Sequence, residues 1–234
     1  KNISKNPINN ESEISKIVQE LESCTFKLKK IESKPQTSSP KPPFRTSTLM
    51  MSAASGLGLT SDKTMQAAQK LYEGGFITYL RTDSITISTS KNTGKPFSEE
   101  NPGPPPLEEI RNFIASSYDS SFLSKEPREY KSKVKEAQEA HEAIRPTDIT
   151  KTPQEVSLNG DEKKLYELIW NRTVASQMEN SRYERKTLII ESNDNKYQFR
   201  ASSRKNLFKG FEILTGSEDE KVTDFPEGLD EGKE

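Results

Sequence analysis

Gly75-Phe76-Ile77-Thr78-Tyr79-Leu80-Arg81-Thr82-Asp83-Ser84 is the stretch on which the reading of this chain turns. Residues 76 to 82 are rich in β-branched and aromatic side chains, which suit a pleated, half-buried surface, so the segment is expected as a strand. Side chains alternate along a strand. Tyr79, Arg81 and Asp83 then share one face, about 7 Å apart from one to the next.

A phenol, a guanidinium and a carboxylate in that row suit phosphoryl transfer. A phenolic oxygen is a competent nucleophile at phosphorus, but its ordinary pKa is about 10. It needs a neighbouring cation or metal to favour the phenolate. Arg81 can supply that cation and can clamp phosphate oxygens in a fork, and Asp83 can orient Arg81. By spacing alone, the same residues also fit a surface strand whose tyrosine packs and whose arginine and aspartate pair, a contact worth little.

Upstream, residues 46 to 56 and 61 to 73 read as two short helices. Thr60 or Ser61 can cap the second, Met65, Ala68 and Leu71 or Tyr72 give it an apolar stripe, and Gly74-Gly75 ends it. Two helices followed by a strand are compatible with a winged helix-turn-helix. Further upstream, Asn10 can cap a helix over 10 to 23 with Ile14, Ile17, Val18 and Leu21 at helical spacing. Residues 25 to 31 alternate as an exposed strand, and the four prolines between 34 and 43 mark a linker.

Downstream, residues 89 to 106, with Pro102-Gly103-Pro104-Pro105-Pro106, read as an insertion loop. Helices are expected over 107 to 118, 133 to 144 and 160 to 178. Strands are expected over 184 to 191, 196 to 202 and 207 to 214, the first two joined by a turn at Ser192-Asn193-Asp194-Asn195. The second stretch with chemistry in it is Gln138-Glu139-Ala140-His141-Glu142-Ala143-Ile144-Arg145-Pro146-Thr147. If it is a helix end, His141 and Arg145 share a face, and the histidine can hold a phosphate or move a proton. A solvated helix end fits the same residues.

Composition narrows the classes. Lys and Arg (35) nearly balance Asp and Glu (36), so contact with a nucleic acid must come from local patches. Mean hydropathy is -0.89, polar for a compact globule. One cysteine, Cys24, excludes an internal disulfide, and one histidine leaves too few ligands for a cysteine-based zinc site. A reducing compartment is the default. The chain starts at Lys1 and is expected to be a piece of a longer protein.

Taken together, these stretches resemble the type IA DNA topoisomerases. The family's nucleophile motif I-T-Y-x-R-T-D-S stands at Ile77 to Ser84, and Q-E-A-H-E-A-I-R-P-T is intact from Gln138 to Thr147. P-F-x-T-S-T-L stands at Pro43 to Leu49, and K-T-M-x-x-A-Q-x-L-Y-E at Lys63 to Glu73. Lys164 to Trp170 is similar to the family's return helix. The likeness runs from about 10 to 230, with 89 to 106 as the clearest departure. Leu80 resembles the bacterial topoisomerase I branch, since proline is usual there in the topoisomerase III branch.

The resemblance implies an α+β fold: a helical, winged-helix-like tyrosine domain at 46–155, inserted in a β-rich arch formed by 1–45 and 156–234. It implies that Tyr79 attacks a DNA phosphate and holds the 5′ end, that Arg81 stabilises the phosphate charge, and that His141 contacts a nearby phosphate. Arg145, Thr82 and Asp83 are implied as supporting residues at the DNA. Its substrate would be a single-stranded region of negatively supercoiled DNA, relaxed without ATP in a bacterial nucleoid or an organelle. The family's magnesium site, a D-x-D-x-E cluster in a toprim domain, has no counterpart here. Nor do its C-terminal zinc ribbons. Mg²⁺ is therefore expected to be held outside this chain, which alone is expected to be inactive. A non-catalytic DNA-binding module and an inert scaffold are the rival readings.

Overall fold

The computed structural model describes residues 10–89, 104–130, 142–216, 225–226 and 228–232. In chain order these form α1 (Glu11–Glu22), β1 (Phe26–Ser38), α2 (Thr46–Leu57), α3 (Ser61–Glu73), α4 (Pro106–Ser117), a 3₁₀ turn (Ser120–Phe122), α5 (Gly160–Ala175), β2 (Ser181–Ser192), β3 (Gln198–Phe208) and α6 (Glu212–Thr215). The class is α+β, as expected. Among the described residues no helix is long and apolar enough to cross a membrane.

The chain divides into two compact units. One takes Lys1–Gln36, Tyr183–Leu207 and Asp219–Glu234; the other takes Thr37–Arg182 and Phe208–Glu218. The division falls at 36/37 and 182/183, whereas the expected boundaries were 45/46 and 155/156. The reason is packing. Phe44 is fully buried with the Arg172 guanidinium 4.3 Å over its ring, and Leu165, Ile169 and Val174 of α5 sit in the same core as Leu49 of α2 and Leu71 of α3.

The first unit is built on a three-stranded antiparallel sheet in the order β1-β2-β3. Pro35 lies in β1, an edge strand of the sheet, the position in which a sheet tolerates proline. β2 and β3 form the expected hairpin, with Asn195 in the left-handed region at the turn. Asn10 caps α1 by accepting from the Ser12 N–H, yet no residue of α1 is buried.

The second unit is helical. Thr60 caps α3 by accepting from the Lys63 N–H, and the helix ends at Gly74 with Gly75 at φ 72°. Pro106 starts α4, where its lack of an N–H costs nothing. Three segments differ from expectation. Phe76 to Thr82 forms only the isolated bridge Ile77↔Pro146, not a ladder strand. The segment read as the end of a helix at 142 to 144 is extended: Ala143 N–H bonds Thr86 O and Ile144 N–H bonds Phe44 O. The strand read over 207 to 214 ends at Phe208, because Gly210 turns the chain at φ 49° and a Cβ there would lie 2.5 Å from the Asn180 carbonyl oxygen. The 133–141 part of the expected helix, and 90–103 of the expected insertion, lie outside the described residues.

Candidate active site around Tyr79

The tyrosine segment is extended without a ladder, and its alternation comes from burial. Ile77 and Leu80 are almost completely buried, and Thr82 and Ser84 follow Leu80 inward. Tyr79, Arg81 and Asp83 are left exposed, Tyr79 at 44%. The shared outward row expected from strand geometry is thus present. Among the described residues no ion pair joins Arg81 to Asp83, so the expected orienting role of Asp83 is not seen here.

Two threonines fasten the segment from either side. Thr78 donates its hydroxyl to Ala143 O at 2.7 Å and accepts the Arg145 N–H at 3.0 Å, while its own N–H bonds Arg145 O at 2.9 Å. Thr46, the first residue of α2, donates to Leu80 O (2.7 Å) and Thr82 O (3.0 Å) and accepts the Thr82 N–H (2.9 Å). Beyond Thr82, the backbone N–H of Ser84 bonds the Thr82 hydroxyl and that of Thr86 bonds the Ser84 hydroxyl. Local side-chain bonds of this kind replace a ladder. Three sequence stretches far apart in the chain (43–49, 77–84 and 142–147) therefore meet.

The Tyr79 ring meets Tyr72 of α3 edge-on, with centroids 5.4 Å apart and planes at 68°. Such a contact restricts where the phenol points. Tyr72 is itself 40% exposed. Sequence reading placed Tyr72 only as a possible member of the apolar stripe; the missed signal is its seven-residue spacing from Tyr79 across the Gly74-Gly75 turn.

The remaining candidates separate. Arg145, expected at the DNA, is 3% exposed. Its guanidinium donates to Glu142 Oε2 at 2.7 Å and to Pro146 O at 2.9 Å. Glu142 Oε1 accepts the Ser88 N–H at 2.9 Å, so the pair ties the 77–88 segment to the 142–147 segment. Thr82, also expected at the DNA, is 4% exposed and holds backbone instead. Both are corrections: Arg145 is buried because the stretch at 142–147 is extended and packed inside, and Thr82 because it alternates inward with Leu80 against Thr46. His141 lies outside the described residues. Among the described residues no group of three or more His, Cys, Asp or Glu is placed to hold a metal ion.

Comparison with known proteins decides the family. The family model described as DNA topoisomerase matches residues 1–234. The chain belongs to the DNA topoisomerase family. It is 43% identical over 214 residues to DNA topoisomerase 1 of Rickettsia bellii, covering 87% of this chain and 25% of that protein. It is 44% identical over 195 residues to DNA topoisomerase 1 of Streptomyces coelicolor, covering 82% of this chain and 19% of that protein. Full-length topoisomerase I from Thermotoga maritima has a similar fold, with TM-score 0.71 and 33% identity over 99% of this chain and 36% of that chain. The chain thus spans about a fifth to a quarter of the length of the Rickettsia and Streptomyces relatives.

Proposed function

We propose that this chain supplies the nucleophile of a type IA topoisomerase, and that Tyr79 is that nucleophile. The observation that carries the reading is the outward row of Tyr79 and Arg81 on a backbone pinned from both sides by Thr46 and Thr78. An exposed phenol on a fixed backbone can reach a phosphodiester, and a neighbouring guanidinium can hold the charge that builds on the phosphate oxygens.

In the cleavage step the Tyr79 Oη–phosphorus bond forms and the phosphorus–O3′ bond breaks. The phenol proton is lost, and the leaving 3′ oxygen gains one. The 5′ end stays on the tyrosine while the other strand passes, and attack by the 3′ hydroxyl reverses the step. The phosphotyrosine keeps the energy of the phosphodiester, so no ATP is needed. The overall result is relaxation of negatively supercoiled DNA, with His141 contacting a neighbouring phosphate. Mg²⁺ would be held by a toprim domain of the longer protein, and the sheet unit would belong to the arch.

The test uses a single-stranded oligonucleotide labelled on the side retained by the enzyme. The full-length protein is expected to form a covalent adduct that Tyr79→Phe abolishes, and the isolated chain to bind the oligonucleotide without forming one. Adduct of wild-type yield in Tyr79→Phe would refute the assignment. Binding with no adduct from the full-length protein would favour a non-catalytic DNA-binding module.

A further inference from the structure

Thr46 is the first residue of α2, where a helix leaves its backbone N–H groups without intrahelical partners. Here the Thr46 N–H is satisfied by Thr82 O at 3.0 Å. The side chain of the same residue takes both sides of Arg81: its single hydroxyl hydrogen is shared between Leu80 O and Thr82 O, and its lone pair receives the Thr82 N–H. Arg81 is therefore suspended between two peptide groups fixed by one side chain. Leu80, buried at 1%, anchors the span from below and forces Tyr79 and Arg81 to the outside together.

We propose that Thr46 is a positioning residue for strand cleavage: it sets the spacing of Tyr79 and Arg81 and couples that spacing to the start of α2. This rests on Tyr79 being the nucleophile. The role needs a hydroxyl and not merely a side chain of this shape. Valine has the same outline but offers no donor or acceptor, so it leaves the Leu80 and Thr82 groups short of partners. Serine keeps the hydroxyl. Thr48 provides a contrast two residues further on. Its hydroxyl accepts the Arg45 N–H at 3.1 Å, which supports the start of α2 without touching the tyrosine segment.

The experiment measures single-turnover adduct formation and oligonucleotide affinity with the full-length protein. Thr46→Val is expected to slow adduct formation about 100-fold, the scale of a roughly 1 Å misplacement of a reacting group, with affinity unchanged. Thr46→Ser is expected to return most of the rate. Thr48→Ala is expected to lower the melting temperature while cleaving at the wild-type rate. If the valine protein is too unstable to assay, Thr46→Ala against Thr46→Ser makes the same comparison. A wild-type rate in Thr46→Val or Thr46→Ala overturns the proposal. So does a loss in Thr48→Ala that matches it at the same drop in melting temperature. If instead Tyr79→Phe keeps the adduct, the nucleophile assignment itself has failed.

Discussion

Tyr72 and Tyr79 stand edge to face across the Gly74-Gly75 turn, 5.4 Å between ring centroids, so the end of α3 helps aim the phenol that the sequence motif singles out. An edge-to-face pair of this kind contributes about 0.5–1.5 kcal/mol beyond its buried area. In a double-mutant cycle of Tyr72→Leu and Tyr79→Leu, a coupling energy in that range is expected from urea unfolding. Additive effects would mean that the rings touch without constraining each other.

The Arg145–Glu142 pair predicts a division of labour between arginines. Arg145 is buried against a carboxylate that also holds the Ser88 N–H. Arg145→Ala leaves that carboxylate without its counter-charge and is expected to cost about 3–5 kcal/mol of stability, the range for breaking a buried pair. The salt dependence of oligonucleotide binding is expected to stay as in the wild type. A reduced salt slope with undiminished stability would place Arg145 on the phosphate after all.

Arg81 is exposed and is expected to behave in the opposite way. Arg81→Gln should leave the unfolding midpoint close to wild type, because little packing is lost. If one phosphate contact disappears, the slope of log affinity against log salt falls by about 0.7 for a single strand. Adduct formation should fall as well. An unchanged slope measured by fluorescence anisotropy would remove Arg81 from the phosphate.

Lys70 of α3 and Glu162 of α5 meet at 2.6 Å on the surface of the helical unit. The Lys70 hydrogen bond holds the Glu162 carboxyl below its usual range. A carboxylate lowered in the folded state adds stability that is present above its unfolded pKa and is lost as pH falls through the folded value. Exposed pairs contribute little. The melting-temperature difference between wild type and Glu162→Gln is therefore expected to be small at neutral pH and to shrink below about pH 4.3, the ordinary glutamate value. A difference that grows on acidification would contradict this.

Helices were the most legible part of the sequence, because their signals are local. Thr60, Gly74-Gly75 and the spacing of Ala68 and Leu71 place α3 within a residue or so of where it folds. Leu165 and Ile169 likewise face the core as their spacing requires. The tyrosine segment was legible in its alternation but not in its pairing. Its partners, Thr46 and Ala143 to Pro146, come from distant parts of the chain and bond through side chains and single bridges. The same remoteness hid the fate of Arg145. Helical spacing put it beside His141, whereas backbone bonds from Ile144 to Phe44 and from Thr78 to Arg145 draw that stretch into an extended path inside the unit. Gly210 was silent because only the close approach of Asn180 and Glu179 demands a glycine there.

The most direct measurement is to trap the adduct between the full-length protein and a single-stranded oligonucleotide, digest it, and locate the phosphate by tandem mass spectrometry. Tyr72 and Tyr79 fall in one tryptic peptide, Leu71 to Arg81, so the fragment ions distinguish them. A 5′-phosphate on Tyr79 is the predicted result. A phosphate on Tyr72, or on a residue outside this peptide, would contradict the account.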